Sequence, residues 1–335
     1  MNVLQIANYK PGTGGISGQV EKIHACLDEE GINNAIFSVK GSTLYRLKAF
    51  FKLAFTGRHY DVFHIHTCSY GGFLSAVIGV TIGKLLKKRI VLTYHGGGGL
   101  AFFEKRHRFV RFFLTKTDTN IVLSGFLGEI FEKFDIPYTI IPNIIEFDKG
   151  KFRERESIRP KFISIRSLEP LYNIPCILKA FQLVKKDTPE ATLLIVGGGS
   201  QKELLEQFVT QNKISGVTFT GRVDNSKIYE YLDQSDIMLS SPTIDNMPVS
   251  LLEAFNAGLL VISSNVGGIP YMIEDGKNGL LFNSDNPQQL AEKMLFAVNN
   301  PEQTLSMTQS ANGSLWKYTW KNVKPMLFQA YNYQQ

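Results

Sequence analysis

The chain has 335 residues, which is too long for a single ordinary hydrophobic core. This length predicts two domains of roughly 150 residues each. Hydrophobic residues make up 44% and charged residues 20%, which excludes a disordered or fibrous protein. The three scattered cysteines exclude a disulfide framework or a CxxC metal site, and with no signal-peptide pattern at the first residues they predict a cytoplasmic protein.

The net charge of +6 is unevenly distributed along the chain. Residues 40–116 contain fourteen lysines and arginines but only two acids, Asp61 and Glu104. From residue 151 onward the two signs balance, with eighteen residues of each. A basic first half beside a neutral second half indicates that the first half meets something anionic.

Apolar, β-rich runs alternate with amphipathic segments through the first half. The predicted strands cover residues 3–7, 34–39, 62–66, 89–95, 119–124 and 138–143. Helical patterns lie between them, for example at 19–30 and 126–134. Part of the uncharged stretch 67–83 is predicted to be a buried helix, because its apolar run is too short to cross a bilayer. Strands that are apolar nearly throughout and separated by helices predict a parallel sheet covered on both faces.

The second half repeats this scheme after a charged stretch at 148–160, which is interpreted as an interdomain linker. Its predicted strands cover residues 161–166, 192–199, 217–222, 236–241 and 259–264. Two α/β units of similar size follow from this pattern. Because open parallel sheets bind ligands at the carboxyl ends of their strands, the loops after the strands are where chemistry is expected.

The most informative of these loops lies in SPTIDNMPVSLLEAFNAG, residues 241–258. A strand ends near Ser241, and a helix is predicted to begin close to Pro248, where free backbone N–H groups and the helix dipole suit a diphosphate. Asp245 in the loop and Glu253 on the second helical turn form a D-x7-E pattern that suits sugar and ribose hydroxyls. The alternative from these residues alone is that Asp245 caps the helix and Glu253 is a solvated helix residue.

The segment resembles the retaining glycosyltransferases of family 4, which carry an E-x7-E motif followed by an EA-x-x-x-G turn. Further segments resemble the family in the same order along the chain: FISIRSLEP (162–170), LLIVGGGSQKELLEQF (193–208), VTFTGRV (217–223), YEYLDQSDIMLSSP (229–242) and GGIPYMIEDGKNGLLF (267–282). The resemblance implies a GT-B architecture, two Rossmann-like domains with parallel sheets facing a central cleft. The expected domains are 1–147 for the acceptor, 161–314 for the donor after the linker, and a C-terminal helix within 315–335 that returns to the first domain.

The resemblance also implies roles for individual residues. Glu253 would hold the nucleotide ribose, Asp245 would contact the donor sugar, and Arg166 would neutralise the diphosphate. The donor pocket would further contain Gly221, Val223, Asn246, Met247, Pro248 and Val249. Arg222 is left open between a contact near the base and a structural role.

One departure from the family concerns the diphosphate. Family members usually carry a lysine five or six residues after the arginine, where this chain has Leu171 and Tyr172. Loss of one cation would weaken electrostatic stabilisation of the leaving group. The change indicates either a subgroup with an EPLYN turn or a catalytically silent relative.

In the first half, the glycine-rich loop PGTGG at 11–15 lacks P-loop spacing, but Gly14 and Gly15 match an early GG pair of the family that approaches the donor. A tight strand–helix turn is the alternative. His95 follows a predicted strand and precedes four glycines, where family members often have a histidine near the donor sugar. His64 and His66 alternate on a strand, and we expect structural roles for them, with His66 better placed at the strand end.

Two segments, 45–55 and 102–116, combine aromatic and basic residues at partly helical spacing. They suit either the surface of an anionic membrane or helices that pack their aromatic side chains inward. No nucleic-acid recognition module is present in the sequence, so no nucleic-acid partner is expected. No cofactor and no metal site is expected, because the acidic and histidine residues lack metal-ligand spacing.

Together these features predict a retaining, metal-independent glycosyltransferase of polysaccharide or glycoconjugate biosynthesis. It would move a sugar from a nucleotide diphosphate sugar, most commonly a UDP-sugar, to a glycan or lipid-linked acceptor, in the cytoplasm or on the cytoplasmic face of a membrane. The alternatives are a catalytically silent nucleotide-sugar-binding subunit or sensor on the same fold, and a nucleotide-sugar epimerase.

Overall fold

The computed structural model describes residues 1–12, 15–145 and 152–334. The chain divides into two compact units, one of Met1–Glu146 with Lys317–Gln335 and the other of Phe147–Trp316. Each unit contains a parallel sheet with helices on it, as the alternation of apolar runs and amphipathic segments predicts.

The first unit has a six-stranded sheet, within the described residues, in the order β2-β1-β3-β4-β5-β6. Its strands are β1 (Asn2–Ala7), β2 (Asn33–Ser38), β3 (Val62–Thr67), β4 (Arg89–Tyr94), β5 (Thr119–Val122) and β6 (Thr139–Ile140). Its helices are α1 (Ile16–Glu29), α2 (Thr43–Thr56), α3 (Leu74–Leu85), α4 (Gly99–Leu114) and α5 (Gly125–Lys133). Every strand pair is parallel. Helices α2 to α5 share one hydrophobic core with the sheet, and α1 belongs to a second core on the other face.

The second unit repeats the plan, with its sheet in the order β12-β11-β10-β7-β8-β9. Its strands are β7 (Lys161–Ile165), β8 (Thr192–Val196), β9 (Val217–Gly221), β10 (Ile237–Ser240), β11 (Leu260–Ser264) and β12 (Leu280–Phe282). Its helices are α6 (Ile174–Asp187), α7 (Lys202–Gln211), α8 (Ile228–Asp233), α9 (Val249–Asn256), α10 (Pro287–Asn299) and α11 (Pro301–Gly313). The last helix, α12 (Trp320–Tyr331), belongs to the first unit, where Leu327, Phe328 and Tyr331 pack in the same core as α1.

The charged stretch 148–160 is described from residue 152 and contributes three arginines to the second unit. Arg153, Arg155 and Arg159 all donate to the carboxylate of Asp236, at 2.7–2.8 Å, just before β10. The Asp236 side chain has no exposed surface. Burial by itself raises the pKa of Asp236, but hydrogen bonds from Arg159 and Arg155 outweigh it and lower the pKa to about 2. This cluster fixes the described part of the stretch to the base of the second sheet.

Candidate functional site

The loops after β7, β8 and β9 lie against one another by backbone contact. Gly197, with φ at +145°, sits so close to the Arg166 carbonyl that a Cβ there would collide with it. Leu168 N donates to the Gly198 carbonyl at 3.0 Å, and Gly197 N donates to the Gly221 carbonyl at 3.0 Å. The glycine turn after β8 is therefore required for close packing between neighbouring strand ends.

This packing sets Arg166, the residue after β7, beside the loop that follows β10. The Arg166 guanidinium forms an ion pair with the Asp245 carboxylate, and the side chains of the two residues are 13% and 21% exposed. Asp245 Oδ1 also accepts from its neighbour's backbone, Asn246 N, at 2.8 Å. The two residues that the resemblance assigned to the diphosphate and the sugar are thus in direct contact.

The face of the Tyr172 ring covers the same guanidinium, with Arg166 Cζ 4.7 Å from the ring centroid. Tyr172 occupies one of the two positions where a lysine was expected from the family. An aromatic face attracts a cation through its quadrupole, so this contact holds Arg166 from a second side.

Helix α9 begins at Val249, one residue later than the sequence predicted, and Pro248 is its N-cap residue. Pro248 makes no side-chain cap, and the carboxylate of Asp245 pairs with Arg166, so Asp245 is not the helix cap that the alternative interpretation proposed. Asn246 and Met247 are buried in the preceding loop, and Glu253 is half-buried on the second turn of α9.

Buried polar atoms without a hydrogen-bond partner among the described residues include Arg166 Nε and Ser250 Oγ, beside this loop. Ser250 is the second residue of α9, whose first turn presents backbone N–H groups without a side-chain cap. A buried donor left without a partner costs free energy, so such atoms mark a place where a ligand would complete the hydrogen bonding. A cationic side chain and a helix N-terminus together suit an anion.

Gly267, which packs against the backbone of Asp245, could not be assigned a role from the sequence alone. Gly267, in the loop after β11, has φ at +55° and lies against the Asp245 backbone, where a Cβ would collide with the carbonyl. Gly268 N donates to that carbonyl at 2.9 Å. The sequence signal for this contact is the pair of glycines at 267–268, which lies in one of the segments that resemble the family.

We expect Gly267→Ala to weaken donor binding, because the Asp245 backbone must move to admit the methyl group. Gly276→Ala is the matched control, since Gly276 has a similar positive φ of +76° but no neighbouring atom within 4 Å. Both variants carry the cost of a positive φ, of order 1–3 kcal/mol, and only Gly267→Ala displaces Asp245. Nucleotide affinity by calorimetry would separate them; equal affinities would show that Gly267 does not support the site.

The remaining donor residues named from the sequence lie at the end of β9, which pairs with β8 and not with β7 or β10. Gly221 ends β9 with φ at +70°, Val223 is half-buried after it, and Arg222 between them is exposed with its Cβ near Gly198. The exposed position of Arg222 is compatible with either a contact near the base or a structural role.

In the first unit, His95 directly follows β4 and stacks on His66. His66 Nδ1 lies 3.1 Å from His95 Nε2, and their ring centroids are 5.4 Å apart. His64 also contacts His66, with ring centroids 4.1 Å apart. His64 Nδ1 lies 2.8 Å from the hydroxyl of Tyr331 on α12, and His64 Nε2 lies 2.8 Å from the hydroxyl of Thr93. His64 thus has a structural role, as expected, while His66 Nε2 is buried without a partner among the described residues.

Burial lowers the pKa of both His64 and His95 to about 3, and the pKa of His66 is also well below its ordinary value. Desolvation of the charged form is the main cause, and the neighbouring histidines add to it for His64 and His66. All three rings are therefore neutral at pH 7, and His95 offers a neutral imidazole for hydrogen bonding.

Because the unfolded chain binds protons on these histidines below about pH 6.5 and the folded chain does not, stability must fall with acidification through that range. We expect the thermal midpoint to drop between pH 7.5 and 5.5, with buried His64 alone contributing up to about 1.4 kcal/mol per pH unit. His66→Gln should make the dependence shallower, because it removes one of the three buried imidazoles. A midpoint independent of pH over this range would contradict the argument.

Gly14 lies outside the described residues. Gly15 precedes α1 with φ at +65° and ψ at −130°, and it has no atom within 4 Å of where a Cβ would stand. The open space beside it is consistent with either of the interpretations made from the sequence.

Within 1–12, 15–145 and 152–334, no group of three or more His, Cys, Asp or Glu residues is arranged to hold a metal ion. None of the helices in that part of the chain is both long and apolar enough to span a bilayer.

Two six-stranded parallel sheets in separate units, with an Arg–Asp pair at the strand ends of the second, define a two-domain α/β protein of the GT-B type. Two family models cover most of the chain: "Glycosyl transferases group 1" matches residues 146–313 and "Glycosyltransferase Family 4" matches residues 19–149. The chain belongs to the family 4 glycosyltransferases, as the sequence motifs predicted.

The similarity of this chain to relatives and to solved structures extends over nearly its full length. The chain is 24% identical to an alpha-monoglucosyldiacylglycerol synthase from Acholeplasma laidlawii, over 94% of this chain and 89% of the relative. It is also 24% identical to an N-acetyl-alpha-D-glucosaminyl L-malate synthase from Bacillus anthracis, over 91% and 83%. Its fold is similar to that of Anabaena HepE in complex with UDP-glucose, with a TM-score of 0.80, 16% identity and 99% of each chain covered.

Proposed function

We propose that the protein transfers a sugar from a nucleotide diphosphate sugar to a glycan or lipid-linked acceptor, with retention of anomeric configuration. The observation that carries this proposal is the contact between Arg166 and Asp245 beside unpartnered buried polar atoms, at the strand ends of a family 4 chain. This arrangement supplies a cation and the N-terminal turn of α9 for a diphosphate, next to a carboxylate for hydroxyl groups.

In this proposal each residue has a distinct part. Arg166 and the first turn of α9 stabilise the departing diphosphate, while Glu253 holds the ribose hydroxyls. Asp245 accepts from the sugar hydroxyls, and the backbone from Asn246 to Val249 lines the donor pocket. His95 offers a neutral imidazole as a hydrogen-bonding group, and Gly15 precedes α1 with open space beside it.

Departure of the nucleotide diphosphate gives the sugar oxocarbenium character, and the acceptor attacks from the same face. The main work of the protein is then to position the donor and stabilise developing charge on the leaving group. We assign no nucleophile, since the Asp245 carboxylate is engaged by Arg166. No metal ion is required in this mechanism, because the arginine and the helix N-terminus provide the positive potential.

A uridine donor is proposed because HepE, which has the same fold, binds UDP and UDP-glucose. Synthesis of a glycolipid is the named activity of the A. laidlawii relative, which supports a lipid-linked acceptor as well as a glycan. The three cysteines are scattered along the sequence without a disulfide framework, as suits the reducing cytoplasm in which we place the protein.

The proposal is tested by incubating the protein with UDP-sugars and candidate acceptors in EDTA, measuring UDP release, and determining the product anomer by NMR. We expect UDP release that persists in EDTA and a product with the donor's anomeric configuration. An inverted product would contradict retention, and loss of turnover in EDTA would contradict metal independence. Donor binding without any UDP release would instead indicate the silent nucleotide-sugar-binding subunit.

A further inference from the structure

Helix α2 has two apolar faces, and only one of them is covered. Ala49 and Leu53 are buried in the core of the first unit, with Phe50 and Ala54 packed against it. The opposite face carries a second apolar stripe at spacings of three and four residues: Leu44, Leu47, Phe51 and Phe55, which are 63%, 56%, 66% and 74% exposed. The sequence left open whether these aromatics pack inward, and the structure shows that both orientations occur in one helix.

Exposed basic side chains lie near this stripe: Lys48 and Lys52 on α2, and Arg58 just after the helix. Residues 40–60 contain Lys40, Arg46, Lys48, Lys52 and Arg58, and no aspartate or glutamate. Arg58 lies over the exposed ring of Phe55, with its Cζ 5.3 Å from the centroid. The helix is 14 residues and therefore about 21 Å long, so its stripe is an apolar line of that length with exposed lysines beside it.

Helix α4 extends the same layer. Both α2 and α4 pack on α3, on one side of the sheet. Phe109 and Phe112 on α4 are 46% and 56% exposed, and Lys116 Nζ lies 4.7 Å from the Phe112 ring centroid. On α3 between them, Leu85 is 69% exposed. We name the exposed apolar and basic side chains of α2 and α4 the aromatic–basic face.

We propose that the aromatic–basic face docks on an anionic lipid bilayer. Apolar side chains flanked by lysine and arginine are the pattern of helices that lie in the membrane interface, with rings at the acyl boundary and cations at the phosphates. The positive charge of the face favours an anionic bilayer as its partner. A second copy of the chain would bring one basic face against another, and the like charges would repel. The inference deepens the proposed function, because it brings a lipid-linked acceptor to the enzyme.

The test is sedimentation of the full chain with vesicles of phosphatidylcholine alone and of phosphatidylcholine mixed with phosphatidylglycerol. We expect binding to the anionic vesicles that weakens with added salt. Phe51→Glu combined with Phe55→Glu should reduce it about tenfold or more, because two rings no longer bury in the interface. Leu204→Glu is the matched control, since Leu204 is 64% exposed on α7 between acidic residues, and it should bind like wild type.

Equal binding by wild type and the Phe51/Phe55 double variant, or no binding to anionic vesicles, would overturn the proposal. Concentration-dependent dimerisation abolished by the same double variant would show that a second copy covers the face. UDP release from the donor without vesicles reports on the proposed function separately, so that failure of one does not imply failure of the other.

A second inference concerns the turn that stands where the family has its lysine. Residues Pro170–Tyr172 form a 3-10 turn that is fixed to loops on both sides. The Leu171 carbonyl accepts from Thr243 N at 2.8 Å, and Ser241 Oγ donates to the carbonyls of Tyr172 and Asn173 at 3.0 and 2.8 Å. The turn is therefore tied to the loop that carries Asp245.

A neighbouring bond ties the same turn to the glycine loop after β8. Glu169 accepts from Ser200 N at 2.9 Å and from the Ser200 hydroxyl, and these bonds lower the pKa of Glu169. Anchored in this way, the turn presents the Tyr172 ring to Arg166. Hydrogen bonds to two neighbouring loops therefore hold this turn in place.

We infer that Tyr172 is a positioning residue: its ring fixes the Arg166 guanidinium for the diphosphate in place of a second cation. This inference rests on the proposed function. Tyr172→Phe keeps the ring face and should retain donor KM and kcat, while Tyr172→Leu should lower kcat/KM for the donor about tenfold. Leu171→Ala, in the same turn but 43% exposed, is the matched control and should behave as wild type.

The contribution of the ring should depend on Arg166. Adding Tyr172→Leu to Arg166→Met should cause little further loss, whereas a merely structural role would lower the thermal midpoint and add its effect in full. Tyr172→Leu with wild-type kinetics in an active enzyme would overturn the inference. An inactive wild type would count against the proposed function instead.

Discussion

Arg166→Met should reduce kcat/KM for sugar transfer by about 100- to 1000-fold. The guanidinium is the cation beside the Asp245 carboxylate and the α9 N-terminus, where the proposal places the diphosphate. Removing one preorganised donor that stabilises developing charge costs about 2.7–4 kcal/mol of transition-state stabilisation in other enzymes. Methionine keeps much of the side-chain length and removes the charge, so packing changes little.

Steady-state kinetics with varied donor would measure this effect, alongside Arg222→Met as the matched control. Arg222 is exposed after β9, which β8 separates from β7, and its loss should have a much smaller effect. The thermal midpoint of each variant reports on folding separately. An Arg166→Met enzyme within a few-fold of wild type would contradict the assigned role of Arg166.

The second large effect concerns stability. Asp236→Asn should destabilise the second unit by about 3–5 kcal/mol, because it leaves the buried Arg155 and its two neighbours without their shared carboxylate. Asparagine keeps the shape and removes the charge, so the effect isolates the loss of neutralisation. The Arg155 side chain is 2% exposed and cannot recover hydration in place.

Urea denaturation followed by far-UV circular dichroism would measure this change. Asp233→Asn is the matched control: Asp233 also pairs with Arg153, but its side chain is 67% exposed, so we expect about 0–1 kcal/mol. Similar midpoints for Asp236→Asn and wild type would show that the arginine cluster does not depend on this carboxylate.

Strand positions could be predicted from the sequence because buried parallel strands are apolar nearly throughout. The predicted runs at 34–39 and 192–199, for example, correspond to β2 and β8, with the latter run extending into the glycine turn. Strand β12 was missed, since Leu280–Phe282 has three residues and no periodicity distinguishes so short a segment.

The residues of the candidate site could be named from motifs, but not their contacts. Arg166 and Asp245 were assigned to different parts of the donor, and their ion pair depends on the adjacency of β7 and β10 in the sheet. The backbone contact of Gly267 under Asp245 and the Tyr172 ring on Arg166 depend equally on tertiary structure. A local pattern carries no information about such contacts between distant segments.

Periodicity likewise predicted that 45–55 and 102–116 have helical character without settling which side faces solvent. In α2, the apolar residues divide between a buried face with Leu53 and an exposed face with Phe51. The contacts of the arginines in the charged stretch 148–160 could not be predicted from the sequence either. Their partner, Asp236, is about 80 residues away in sequence and is recognised only once the sheet is formed.

The most direct test of the central claim is a thermal-shift panel of uridine, guanosine and adenosine diphosphates and their sugars, on wild type and Glu253→Ala. A ligand at about 100 times its dissociation constant adds about 2.7 kcal/mol of stability, which moves a midpoint by a few degrees. We predict a shift selective for uridine nucleotides that is lost in Glu253→Ala. No shift with any nucleotide, or an equal shift in the variant, would contradict a donor site at Arg166, Asp245 and Glu253.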